Sequence, residues 1–151
     1  MQDVVERLAV CGEVPVDQLP GEGARAALGE LESLGMAVIT KSSTGLVAQL
    51  SHPVTASVID ASMPKLRRAD ILAEQADRAA AGAIADELRA VTWAVAAGRP
   101  ADAAMVRSAC RIAREAGDHA TVLRLADAGL SGGRDAHLLL FKGESLLRMG
   151  Q

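Results

Sequence analysis

Leu46-Val47-Ala48-Gln49-Leu50-Ser51-His52-Pro53-Val54-Thr55-Ala56-Ser57-Val58-Ile59-Asp60 is a short strand pattern that runs into His-Pro and then a new helix. Proline lacks an N–H and has a fixed φ, so Pro53 suits the first turn of that helix. Upstream, Met36 to Thr40 reads as a partner strand. Lys41-Ser42-Ser43-Thr44-Gly45 joins the two as a polar loop whose glycine can take positive φ. The pair makes a hairpin and sets one imidazole, His52, at a fixed junction. Before it come apolar-periodic segments at Val4 to Val10, Val16 to Leu19 and Ala24 to Leu34. The first sixty residues therefore spell helix, short helix, helix, hairpin, the order of a winged helix.

In the third of these segments Ala24, Ala27, Leu28, Leu31 and Leu34 share one face, Pro20-Gly21 marks the break before it, and Gly35 follows as a left-handed cap. This would be the recognition helix of a DNA reader. It offers Glu22, Arg25, Glu30 and Glu32, and the hairpin adds only Lys41. Affinity for DNA rests on Lys and Arg contacts with phosphates. A surface of this sign repels a polyanion, so DNA binding by this segment is disfavoured and docking onto protein is the alternative use.

Beyond the hairpin the pattern is helical. The helix from Pro53 is expected to end near Ser62, and Pro64 opens another over Leu66, Ala69, Ile71, Leu72, Ala73 and Ala76. Ile84, Leu88, Val91 and Val95 form a stripe closed by Gly98-Arg99-Pro100. Met105 to Ala116 gives a wider apolar arc ending at Gly117-Asp118, the mark of a helix with neighbours on both sides. Val122 to Leu130 and Ala136 to Met149 supply two more. Cys110 and Gly143 lie 33 residues apart, as do Gly117 and Gly150, each pair being a small residue seven positions before a helix-ending glycine. That period suits helix-turn-helix repeats, and the Ala-Gly-Asp run followed by Val122, Ala126 and Gly129-Leu130 is similar to the second half of a tetratricopeptide repeat. The expected architecture is mainly α: a winged helix over residues 1–62, then a tetratricopeptide-like helical array over 63–151.

Composition agrees with helices that approach closely. Alanine supplies about a fifth of the chain, while the aromatics are Trp93 and Phe141 alone. The 151 residues carry a net charge of −3, which does not mark a polyanion binder. The longest uncharged run, Ser42 to Ile59, contains Gln49, His52, Pro53 and several hydroxyls, so no membrane span is read. Met1 to Leu8 is acidic and amphipathic rather than a signal peptide, and a cytoplasmic setting is expected. Because the first helix begins almost at Met1 and the last still runs at Met149-Gly150-Gln151, the chain is expected to be a middle portion of a longer polypeptide.

Cys11 and Cys110 stand apart among apolar residues and are expected to be reduced core thiols. His119 and His137 are equally isolated, no CxxC or HExxH spacing occurs, and no metal or cofactor is expected in the chain itself. Gly21-Glu22-Gly23 lacks the lysine and hydroxyl of a P-loop and reads as a turn. No serine, histidine and acid can be grouped from spacing, so no catalytic residue is assigned. Lys65, Arg67 and Arg68 concentrate positive charge in the first turn of a helix, where the dipole disfavours cations. They are candidates for an acidic partner or phosphate, or simply a solvated face. Trp93 points almost opposite the Ile84, Leu88, Val91, Val95 stripe: either another helix buries it or it marks an interface.

Val4-Val5-Glu6-Arg7-Leu8-Ala9-Val10-Cys11-Gly12, then Leu28-Gly29-Glu30-Leu31-Glu32-Ser33-Leu34-Gly35, Leu50-Ser51-His52-Pro53 and Leu72-Ala73 resemble the middle of large ATP-binding LuxR-type and MalT-like bacterial transcription regulators. These belong to the STAND class of signal-transduction ATPases. The resemblance spans most of the chain through spacing rather than a diagnostic motif. It implies a nucleotide-binding module ahead of the winged helix as its partner, ATP or ADP bound there, and repeats that engage a protein or small-molecule inducer. A separate DNA-binding helix-turn-helix would follow. In related ATPases a Met-His-Asp histidine of the winged helix touches the β-phosphate of ADP. His52 matches it by position, with Ser51 and Pro53 replacing its neighbours, and is the nucleotide-sensing candidate. The alternatives are a self-contained winged-helix DNA-binding repressor with a helical effector or dimerisation domain, and a plain helical scaffold.

Overall fold

The computed structural model of the protein describes residues 1–42, 45–81 and 86–150, and divides the chain into two units, Met1–Gln75 and Ala76–Gln151. Each is mainly helical, and the first carries a small antiparallel sheet.

In the first unit α1 (Gln2–Cys11) is followed by β1 (Val14–Pro15), a 3-10 turn over Val16–Gln18, α2 (Ala24–Ser33), β2 (Ala37–Ser42), β3 (Gly45–Leu50) and α3 (Pro53–Ser62). Helix, short helix, helix and hairpin thus fall where the periodicity places them. Both strands of the hairpin are longer than expected, since Lys41 pairs with Leu46 and Ser42 with Gly45. Ser43 and Thr44 of the expected loop lie outside the described residues.

A third strand went unread in the sequence. Val14 pairs with Ala48 and Pro15 with Val47, giving the order β1-β3-β2 with β3 in the centre. A two-residue strand ending in proline has no period to detect, and proline is tolerated there because β1 is an edge. One face of the sheet joins α1 and α2 in a core of Val4, Leu8, Val14, Leu28, Leu31, Ala37, Ala48 and Leu50. Gly35, at φ 69°, lets the Met36 N–H reach back 2.8 Å to the Leu31 carbonyl, ending α2 and aiming the chain into β2.

Helix α4 (Lys65–Ala81) begins after Pro64. The division into units comes after Gln75, later than the break expected at residue 62, because Arg67, Ile71, Glu74 and Gln75 bond to residues of α1 and the 3-10 turn.

The second unit contains α5 (Glu87–Ala96), α6 (Ala103–Glu115), α7 (His119–Ser131) and α8 (Ala136–Arg148). Each packs on the next, and α5 also meets α7 and α6 meets α8. Ile84, assigned to the stripe of the first of these helices, lies outside the described residues, while Val91 joins a core of Val106, Ala109, Cys110, Ala113, Val122, Leu125, Ala126 and Leu138.

All four helices start on an aspartate, Asp86, Asp102, Asp118 or Asp135, whose carboxylate accepts first-turn N–H groups. The Asp118 carboxyl is held below its ordinary range, chiefly by the Thr121 hydroxyl and then the Thr121 N–H. Asp135 is lowered first by the Leu138 N–H and then by Arg107. A lowered folded pKa means stability that is fully present above the unfolded value of about 3.9 and is lost as pH falls through the folded one. Asp118→Asn keeps a capping oxygen. It should leave thermal stability at pH 7 nearly unchanged while shrinking the drop in Tm between pH 5 and pH 3, read by circular dichroism. An unchanged acid slope would show that this cap does not contribute to it.

Candidate functional site

Strand β3 and α3 fix the position of His52. The Leu50 side chain is in the core, the Ser51 N–H donates to the Met36 carbonyl at 3.0 Å, and Ala56 and Ile59 of α3 pack against the core from the other side. His52 is the N-cap residue of α3, with extended backbone (φ −122°, ψ 117°), and its carbonyl accepts the Ala56 N–H. Its side chain is exposed and makes no capping bond, and Pro53 occupies the first turn. An exposed imidazole therefore stands beside helix-terminal amides with no side-chain cap, ground that favours an anion.

The basic cluster is mostly committed within the chain. Arg67 donates to Asp3 at 2.6 Å and Glu6 at 3.0 Å, and Glu6 first, then Asp3, push its pKa up. Arg68 donates to Asp60 at 2.7 Å. Lys65 alone of the three is exposed rather than half-buried. Arg67 and Arg68 thus hold acidic side chains of α1 and α3 while staying partly exposed. Trp93 is 6 % exposed, the core outcome of the two that the sequence left open.

A buried polar cluster escaped sequence reading. Arg7 is only 1 % exposed, yet its guanidinium donates to Glu74 at 2.8 Å, Gln75 Oε1 at 3.3 Å and the Ile71 carbonyl at 3.5 Å. Asp3 lies 3.6 Å away. Gln75, fully buried, passes a bond on to the Gln18 carbonyl at 3.4 Å. The signal in the sequence was a cation on the arc of Val4, Leu8 and Cys11. Burial pushes the Cys11 thiol up to about 12 and Cys110 to about 11.

The exposed surface of α2 presents Arg25, Ala26, Gly29, Glu30, Glu32, Ser33 and Leu34, with a shallow hollow over Ala26, Gly29 and Ser33. In the second unit an alanine-walled hollow of about 170 Å³ lies between the end of α4, α5 and Pro100, with Asp77 and Arg99 paired at 2.8 Å among its lining residues. His119 Nδ1 sits 3.3 Å from Ser145 Oγ, but Ser145 is fully buried and cannot meet a substrate. Among the described residues no group of His, Cys, Asp and Glu is arranged to hold a metal, and no helix is long and apolar enough to cross a membrane.

Comparison with models of protein families, with curated proteins and with solved structures gave no match.

Proposed function

We propose that this chain is a non-catalytic regulatory segment of a STAND-type, LuxR-family transcriptional regulator, in which a winged helix clamps a nucleotide-binding module of the same polypeptide and a tetratricopeptide-like arm receives the signal. The element order α1, β1, short turn, α2, β2, β3 with sheet order β1-β3-β2 supports the winged-helix reading. The contacts of α5 with α7 and of α6 with α8 support a repeat array. A protein or small-molecule inducer would engage that arm, ATP or ADP would sit in the partner module with His52 at its phosphates, and the setting would be cytoplasmic.

The observation that carries this reading is the charge of the face a DNA reader would use. The exposed side chains of α2 set one cation, Arg25, against Glu30 and Glu32, and the described hairpin residues add Lys41 alone. Protein docking is the use that remains. In a gel-shift titration the 151-residue chain should give no salt-sensitive complex with duplex DNA at micromolar protein; such a complex would favour the self-contained repressor instead. In the complete regulator, His52→Ala should speed ADP dissociation, and an unchanged rate would remove His52 from the phosphate site.

A further inference from the structure

The hollow of about 170 Å³ in the second unit has a floor and a rim of different chemistry. Ala76, Ala90 and Val91 form the floor and are buried. At the rim Asp77 meets Arg99 at 2.8 Å, with their side chains 68 % and 45 % exposed, beside the exposed Met105. The other walls are mostly alanine, too short to close the space, whereas Val106, Val122, Leu125 and Leu138 fill the core of α6, α7 and α8. The position of Arg99 is set by its backbone. Gly98, at φ 74°, turns the chain out of α5, so that its N–H donates to the Val95 carbonyl and the Arg99 N–H to the Ala94 carbonyl, both at 3.0 Å. Pro100 stiffens the next step.

Volume limits what can enter. A cavity of about 150 Å³ accommodates benzene, so this one takes an apolar group of about four to six carbons. Pockets for drug-sized ligands run to roughly 300–1,000 Å³, which sets a nucleotide or an oligosaccharide aside. Charge limits it further, because the rim presents an anion and a cation side by side. A simple carboxylate attracted by Arg99 is repelled by Asp77, and a simple amine suffers the reverse. A zwitterion meets an opposite charge at each end.

We infer that this hollow binds a free α-amino acid with a branched aliphatic side chain. The side chain lies on Ala76, Ala90 and Val91, the carboxylate takes the Arg99 guanidinium, and the ammonium takes the Asp77 carboxylate. The ligand thereby replaces the direct contact between the two, an exposed pair whose loss costs little. Met105, unbranched and adaptable, folds over the apolar group. Only the use of this site for an inducer rests on the regulatory function proposed above; binding by the chain itself does not.

L-leucine titrated into the isotope-labelled 151-residue chain should shift backbone amide resonances within residues 76–105. So few ligand atoms support a Kd on the order of 1 mM. Glycine, with no side chain for the floor, should bind at least about tenfold more weakly. Two rim variants give the decisive pattern. Arg99→Gln should weaken L-leucine about tenfold but bind isopentylamine, its analogue without the carboxylate, no more weakly than before. Asp77→Asn should weaken L-leucine about tenfold but bind isocaproate, its analogue without the ammonium, no more weakly than before. Because both side chains are at the surface, Tm by circular dichroism should move by less than about 3 °C in either variant. No shift at about 20 mM L-leucine, twentyfold above the expected Kd, would overturn the inference. Equal binding of glycine would do so too, as would L-leucine binding that neither variant weakens. These readouts are independent of the gel-shift and ADP-dissociation tests, so the ligand site and the regulatory function can fail separately.

Discussion

Gly129→Val is expected to destabilise the second unit by about 2–3 kcal/mol through overpacking. Gly129 lies inside α7, where glycine costs up to about 1 kcal/mol in helix propensity relative to alanine, so its presence requires a packing reason. A Cβ at this position would stand 2.5 Å from Leu138 Cδ1 and 3.1 Å from Val106 Cγ1. Both residues are fully buried, so neither can swing into solvent to make room. Gly129 thus faces the packed side chains of α8 and α6 with no room for a Cβ, and valine would wedge the helices apart. Chemical denaturation followed by far-UV circular dichroism reads the loss. Gly143→Val, on an uncovered part of α8 with nothing near the glycine, is the matched control, expected to change stability by less than about 1 kcal/mol. Equal losses at the two sites would show that the close approach at Gly129 is not what constrains it.

Arg7→Ala should lower the stability of the first unit by about 3 kcal/mol, from a lost stem, a cavity and an orphaned Gln75 Oε1. The figure sits low for a buried ion pair because Glu74 and Asp3 remain about half exposed and can hydrate once the guanidinium is gone. Arg7→Met fills the stem volume without a charge and should lose clearly less. Combined with Gln75→Leu, it removes donor and acceptor together and should recover most of the remaining loss, as paired apolar replacements of buried polar partners do. Should Arg7→Ala and Arg7→Met be equally damaging, the charge network rather than the packed stem holds α1 to Ile71, Glu74 and Gln75.

Much of this architecture was legible from spacing. Pro53 after His52, Gly35 after Leu34, and Gly117-Asp118 are local signals whose physics is complete within a few residues, and helices start or stop at each. What stayed hidden depends on residues distant in sequence. Strand β1 is too short to have a period and exists only because β3 offers it an edge. Arg7 sits on an apolar arc because its partners are supplied more than sixty positions later, at Ile71, Glu74 and Gln75. The charge run Lys65, Arg67, Arg68 looked like a surface for others because nothing local reveals that Asp3, Glu6 and Asp60 neutralise two of its three members. His52 is the opposite case: strand, cap and proline are all local, and its exposed position at the head of α3 follows from them.

The raised thiol values at Cys11 and Cys110 have a practical corollary. Alkylating and maleimide reagents attack the thiolate, a form that both native sulfurs withhold near neutral pH. A fluorophore or spin label should therefore react faster with one engineered surface cysteine than with either native thiol.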